Sequence, residues 1–364
     1  METSKVGIIG VGNIFPQYVQ NLRRYPFLEV VACADIQMDL ARARAAEYAL
    51  QPLSVDELLK HPQIELIVNL TVPRAHAEVS LQIIRAGKHV YSEKPLATNI
   101  NDAHAVLQAA EAAGVRVGCA PDTFLGGGLQ TCRKLIEDGW IGTPIGATAC
   151  FASHGMEHWH PNPAFFYQEG AGPVFDMGPY YLTTLFQLMG AIKQVTAITG
   201  TSFPERTITS EPRFGQKIPV NVPTFNAGVV EFTSGAIASI LMSFDIWRHG
   251  LPFVEIYGSA GTLRTPDPNT FGGPVTVWLQ TEAEWRQVPL LYSADVGRGV
   301  GVADMVYSIR QDKMHRAQGG IAYHILEVLQ SFQQSFDTRA FIQVESQPEK
   351  PPLFPLGLRP DEIG

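Results

Sequence analysis

Val6-Gly7-Ile8-Ile9-Gly10-Val11-Gly12-Asn13-Ile14 reads as a short apolar strand, a glycine pair and the opening of a helix. In that context the pair Gly10 and Gly12 lets the backbone turn tightly and approach a pyrophosphate, with Asn13 and Ile14 in the first helical turn beside it. The third glycine of the usual GxGxxG pattern is absent, because Phe15 stands there and Pro16 follows. Proline is tolerated in a first helical turn, but the helix must then pack on the strand around a large ring. Taken alone, such a pair is also a structural turn. Asp35 bears on the choice, since it ends a second apolar run about 25 residues past Gly10. A carboxylate there reaches both ribose hydroxyls of a dinucleotide and repels a 2′-phosphate, which favours NAD over NADP; the alternative is a solvated strand end.

Outward from this turn, apolar runs at 6–9, 30–34, 64–70, 89–92 and 115–119 alternate with amphipathic stretches. That is the pattern of a parallel sheet with crossover helices. Ser54 with Glu57 has capping-box spacing, and Gly87 and Gly114 stand where a left-handed residue closes a helix. Beyond about residue 120 helices are predicted at 127–138 and 176–189, while 225–232 and 236–244 around Ser234-Gly235 read as a hairpin followed by strands at 253–257 and 275–279. Two late helices are predicted at 302–310 and 321–336. The expected fold is α/β: a doubly wound dinucleotide-binding Rossmann domain at 1–120, an α+β domain with a large, mostly antiparallel open sheet at 121–345, and an extended Pro-rich tail at 346–364.

The 364 residues suffice for about two domains of ~150 residues, and 45% apolar residues can fill two cores. Twenty-seven Lys and Arg against 35 Asp and Glu give a net charge of −8 without a basic run, which argues against nucleic acid as a partner. The N-terminal residues lack the signature of a signal peptide, and no apolar run reaches the roughly 20 residues needed to span a bilayer. The expectation is a cytoplasmic protein with no membrane partner. Cys33, Cys119, Cys132 and Cys150 are widely spaced and read as reduced core thiols.

A second stretch, Gly87-Lys88-His89-Val90-Tyr91-Ser92-Glu93-Lys94-Pro95-Leu96-Ala97, resembles the signature of the glucose-fructose oxidoreductase, inositol dehydrogenase and MocA family. The likeness extends over the glycine turn, residues 69–76 (Asn-Leu-Thr-Val-Pro-Arg-Ala-His) and residues 172–180 (Gly-Pro-Val-Phe-Asp-Met-Gly-Pro-Tyr). It implies an oxidoreductase of sugars or polyols, with Thr71, Pro73, His76, Glu93 and Lys94 at the NAD site and Glu93 on the nicotinamide-side ribose. Lys94 follows a strand at the carboxyl edge, where ligands of such sheets bind, so its ammonium is suited to proton exchange beside the nicotinamide.

Asp176 and Tyr180 are four apart on a predicted helix and share one face. Many relatives have His where this chain has Tyr180, while some sugar and dihydrodiol oxidoreductases have Tyr. A nearby cation favours the phenolate, so Tyr180 is the expected general base, with Asp176 orienting the substrate; a core-facing aromatic is the other reading. Asp122 and Phe124, after the last parallel strand, and the aromatic-polar loop carrying His154, His158, Trp159, His160 and Asn162 are further substrate-contact candidates. A zinc reading of the three histidines is disfavoured by Gly155 and Pro161 and by the lack of a spaced acidic ligand, so no metal is expected. Asp245, Trp247, Arg248, His249, His315 and Arg316 read more readily as solvated polar ends than as ligands.

Together with the resemblance, these residues predict NAD-dependent hydride transfer between a secondary alcohol of a sugar, sugar derivative or cyclic polyol and the nicotinamide, with Lys94 and Tyr180 as the proton-transfer pair. An NAD-dependent glycosidase acting through transient oxidation and a non-catalytic sugar or dinucleotide sensor are the alternatives. A homodimer or homotetramer through the second domain's sheet is expected, because one apolar face of that sheet needs a cover.

Overall fold

A computed structural model describes residues 3–364. They form two compact units. The first contains the residues up to Gln130 with Leu290–Leu326 and Pro351–Gly364; the second contains Thr131–Pro289 and Glu327–Lys350. Where the sequence suggests boundaries near 120 and 345, the chain instead returns twice to the first unit.

In the first unit β1 (Ser4–Ile9), α1 (Phe15–Leu22), β2 (Leu28–Ala34), α2 (Met38–Tyr48), β3 (Gln51–Leu53), α3 (Val55–Lys60), β4 (Ile64–Asn69), α4 (His76–Arg85), β5 (His89–Ser92), α5 (Ile100–Ala113) and β6 (Val117–Cys119) alternate along the chain. The strands lie in the order β3-β2-β1-β4-β5-β6, all parallel, the arrangement of a Rossmann sheet. Val6, Ile8, Ile67, Val68 and Val90 have no exposed surface, as continuous apolar strands covered on both faces require. The capping box closes on α3, where the Glu57 amide donates to Ser54 and the Ser54 amide donates to Glu57. Gly114 ends α5 in the left-handed conformation. The sequence pattern misses β3, which is three residues long and contains Pro52.

The chain continues through α6 (Gly127–Glu137), β7 (Pro144–Ala152), α7 (Gly172–Met189), β8 (Ile192–Gly200), β9 (Glu205–Thr207), β10 (Lys217–Pro219), β11 (Phe225–Phe232), β12 (Ile237–Ser243), β13 (Val254–Gly258), β14 (Gly261–Arg264), β15 (Val275–Leu279) and β16 (Arg286–Val288). After α8 (Val300–Arg310) and α9 (Gly319–Thr338) comes the short β17 (Ile342–Gln343). Nine strands form one sheet in the order β16-β15-β14-β13-β7-β12-β11-β8-β17, antiparallel except where β12 runs parallel to β7. The hairpin of β11 and β12 turns at Ser234-Gly235, pairing Phe225 with Ser243. One face buries Val230, Ala238, Ile240 and Met242. Gly228 is needed on β11 because a Cβ there would sit 2.7 Å from the Phe332 ring of α9. The opposite face leaves Ile198, Val229 and Ile237 exposed, the first two in the wall of a depression of about 660 Å3. Strands β9 and β10 form a separate two-stranded ribbon between β8 and β11.

The Pro-rich tail has no helix or strand, and Arg316 fixes it. Its guanidinium pairs with the buried Asp304 and donates to the carbonyls of Pro352, Leu353 and Gly364. Arg316 and its neighbour His315, read from the sequence as solvated ends, are therefore buried; burial pushes the His315 imidazole down to about 4. No described helix is long and apolar enough to cross a membrane, and the four cysteines are free and buried.

Candidate active site

The glycine turn has the geometry of a dinucleotide cradle. Gly10 sits at φ +94°, and a Cβ there would lie 2.6 Å from the Leu70 carbonyl, so no other residue fits. A Cβ on Gly12 would meet nothing, and Gly12 and Asn13 are exposed, which leaves the amide end of α1 open to a ligand. The missing third glycine is accommodated because Phe15 is fully buried and packs edge-on against Tyr48 of α2 at 5.7 Å. Asp35 directly follows β2 and turns back towards the cradle: the Val11 amide donates to its Oδ2 at 3.1 Å and the Gln37 amide to its Oδ1 at 2.9 Å. A half-buried carboxylate fixed beside the glycine turn fits the ribose-binding group of a bound NAD.

The loops after β4 and β5 are tied together. Asn69 Oδ1 accepts from the Thr71 hydroxyl at 2.7 Å, and Asn69 Nδ2 donates to the His76 carbonyl. The buried His76 ring lies 2.7 Å through Nδ1 from the Pro95 carbonyl and 3.0 Å through Nε2 from the Thr71 carbonyl. Burial lowers its proton affinity, and the two carbonyls oppose that shift. His76 is thus engaged in bracing the Lys94-Pro95 segment, whose peptide bond is cis. Pro73 is exposed at the tip of the first loop.

Glu93 is nearly buried and held from two sides: the Tyr18 hydroxyl of α1 donates to Oε1 at 2.8 Å, and the Lys94 amide donates to Oε2 at 3.0 Å. Burial, reinforced by Glu93, raises the Tyr18 pKa well above that of a free phenol, so it remains the donor. Lys94 is half-buried. Asp122 has no exposed surface; its Oδ2 accepts from the Gly299 and Gly301 amides at the start of α8, while Oδ1 has no hydrogen-bond partner. Burial pushes this carboxyl up to about 6, against the pull of those amides and of Arg298. Phe124 is buried beside it in sequence.

In the second unit, α7 begins at Gly172, four residues before the predicted start, because Pro173 needs no amide partner in a first turn. Asp176 and Tyr180 lie one turn apart on it, separated by Pro179, which cannot close the helical bond to the Phe175 carbonyl. Tyr180 is 5% exposed and Asp176 half-buried. Tyr181 has no exposed surface and packs edge-on against Phe151, and burial raises its hydroxyl well above the usual range.

The loop after β7 divides its residues between two places. His154 and His158 line a cavity of about 700 Å3 together with Trp247 and the β9 ribbon. Trp159 does not; its exposed ring stands edge-on to His160 at 5.3 Å. His160 feels Asp176: burial lowers its proton affinity, and the Asn162 backbone and the Asp176 charge act in the opposite direction. Asp245, read from the sequence as a solvated end, is buried in an ion pair with Arg206, which also binds Glu157 at 3.0 Å. Arg206 and Tyr18 escape a sequence reading because their partners lie dozens of residues away and neither belongs to a motif. Among the described residues no group of three His, Cys, Asp or Glu is arranged to hold a metal ion.

Comparison with known proteins agrees with this geometry. Residues 4–120 match the family model described as an oxidoreductase family with an NAD-binding Rossmann fold, and residues 129–264 match the GFO/IDH/MocA C-terminal domain. The chain is 29% identical to 1,5-anhydro-D-fructose reductase of Ensifer adhaerens over 78% of this chain and 82% of that one. It is 28% identical to inositol 2-dehydrogenase 3 of Saccharopolyspora erythraea, over 78% and 80%. Its fold superposes on the crystal structure of an NAD-binding oxidoreductase from Klebsiella pneumoniae with a TM-score of 0.82 at 24% identity, covering 94% of this chain and 99% of that one.

Proposed function

Because the chain belongs to the GFO/IDH/MocA family of oxidoreductases with an NAD-binding Rossmann domain, we propose that it oxidises a secondary alcohol of a sugar, sugar derivative or cyclic polyol to the ketone or lactone. Bound NAD+ supplies the hydride acceptor. Gly10, Gly12, Asn13 and Ile14 hold its pyrophosphate side, Asp35 the adenosine ribose, and Glu93, braced by Tyr18, the second ribose, with Thr71, Pro73 and His76 shaping the wall. Tyr180 takes the hydroxyl proton as the carbinol C–H bond breaks, Lys94 supports that transfer with its ammonium, and Asp176 orients the substrate hydroxyls. His154, His158 and Trp159 are the remaining candidates for substrate contact, while Asp122 and Phe124, which are buried, are candidates for its support only.

The observation that carries this reading is the Glu93-Lys94-Pro95 segment leaving β5 at the carboxyl edge of a parallel sheet, braced by Tyr18 and His76. Its test is a pair of variants. Lys94→Ala and Tyr180→Phe fold and bind NADH like the wild type but lose about 100-fold or more in turnover across a panel of sugars, inositols and glycosides. Full activity in both variants overturns the assignment. Glycoside cleavage without net NADH gives the reaction to the redox-neutral alternative.

The names of the relatives support the substrate class, and the open face of the nine-stranded sheet supports an oligomer. Ile198, Val229 and Ile237 line up there without cover, and a second copy of the chain buries them. Light scattering at micromolar concentration reads a dimer or tetramer.

A further inference from the structure

The cavity beside the β9 ribbon contains neither Asp176 nor Tyr180 in its wall. Its volume of about 700 Å3 lies within the roughly 300–1,000 Å3 typical of small-ligand sites. Its foundation is Arg206, 5% exposed, which is locked between Glu157 and Asp245 and donates to the Phe244 carbonyl at 2.7 Å. Tyr167 and Thr224 complete the knot through hydrogen bonds to Glu157 and Asp245. Every charged group of this foundation is paired, although one guanidinium against two carboxylates leaves it net negative, and Glu205 at the rim is paired with Lys217. What remains for a ligand is neutral. The Ser153 hydroxyl is buried without a partner, Thr207 and Thr209 stand on the ribbon side, and His158 is exposed at the mouth. Trp247 stacks on His154 at 3.4 Å and 12° and is still 81% exposed, so the other face of its indole is open.

An open indole face beside hydroxyl and imidazole groups, with no uncommitted charge, matches a pyranose ring, whose C–H face stacks on an aromatic and whose hydroxyls need donors and acceptors. An anion finds no free cation here, and a cation finds no free carboxylate. We propose that this cavity is a subsite for a second sugar ring, so that the substrate class is a neutral disaccharide or glycoside and not a free monosaccharide. The proposal rests on the reading that the chain acts on carbohydrates.

Calorimetric titration of the full chain with glucose, galactose, mannose and xylose, and with their α-1,4- and β-1,4-linked disaccharides, tests it. At least one disaccharide binds roughly tenfold or more tighter than its own monosaccharide, the equivalent of one well-made contact. Trp247→Ala, an exposed position whose loss leaves the core intact, removes that excess. The proposal fails if every disaccharide binds no tighter than its monosaccharide, or if the excess survives in Trp247→Ala. NADH formation is read in parallel. A disaccharide excess without NADH keeps the subsite and rejects the dehydrogenase reading; NADH from monosaccharides without the excess does the reverse.

Discussion

The Tyr18 hydroxyl donates to Glu93 Oε1 at 2.8 Å across 75 residues of sequence, joining the first helix of the dinucleotide cradle to the segment that carries Lys94. Both groups are buried, so the bond is made where water cannot replace it. Tyr18→Phe leaves a buried carboxylate oxygen one donor short, at a cost of about 1–3 kcal/mol. The expected outcome is a lower thermal midpoint together with weaker NADH binding in a fluorescence titration. A variant with unaltered midpoint and NADH affinity shows that Glu93 does not depend on Tyr18.

Asp35 spends both carboxylate oxygens on the Val11 and Gln37 amides, so it shapes the cradle as well as its charge. Asp35→Ser shortens the group and removes the repulsion of a 2′-phosphate. The NADP+/NAD+ ratio of kcat/KM is expected to rise about tenfold or more, since hydrogen bonds to a charged group are worth about 1.5–3 kcal/mol. Steady-state rates with both cofactors decide it, and an unchanged ratio removes Asp35 as the discriminating group.

The alternation of strands and helices in the first unit was legible because their periods differ cleanly and most runs are long enough to show a period, as residues 64–69 and 76–85 do. β3 was not, since three residues around Pro52 carry no period. The cradle was legible from Gly10, Gly12 and Asp35, whose spacing is local to one strand-turn-helix-strand unit. Arg206, Glu157 and Asp245 were not, because charged residues in sequence look solvated and only the tertiary fold pairs them. Asp245 was misread for that reason. Asp122 stood out as a substrate candidate by position, yet nothing local announced that Gly299 and Gly301 would meet its carboxylate from 177 and 179 residues away.

Asp122 gives the fold a pH dependence of its own. Its carboxyl titrates at about 6 when folded and near 3.8 when unfolded, so between those values the folded chain holds the extra proton. The contribution of Asp122 to stability is therefore fully present below about pH 4, is lost as the pH rises through 6, and levels off above 7, a total loss on the order of 3 kcal/mol. Asp122→Asn keeps an oxygen for the Gly299 and Gly301 amides and abolishes the titration. Urea unfolding at a series of pH values should show the wild type losing about 1 kcal/mol relative to Asp122→Asn between pH 5 and pH 7. Parallel curves for the two proteins contradict this.

Arg206 holds together two acidic residues that the sequence places 49 and 39 positions away, and all three side chains are less than a tenth exposed. Replacing only the cation leaves Glu157 and Asp245 buried with like charge and no partner. Arg206→Met should destabilise the second unit by about 3–5 kcal/mol, seen as a lower urea midpoint. The desolvation of three charges is itself costly, however, so neutralising all of them removes the cause of the loss. The triple variant Arg206→Met, Glu157→Gln, Asp245→Asn should recover much of the wild-type midpoint. If the triple variant is no more stable than the single one, the loss in Arg206→Met comes from missing packing against Phe203 and Tyr167, over whose rings the guanidinium lies at 4.9 and 5.6 Å, and not from stranded charge.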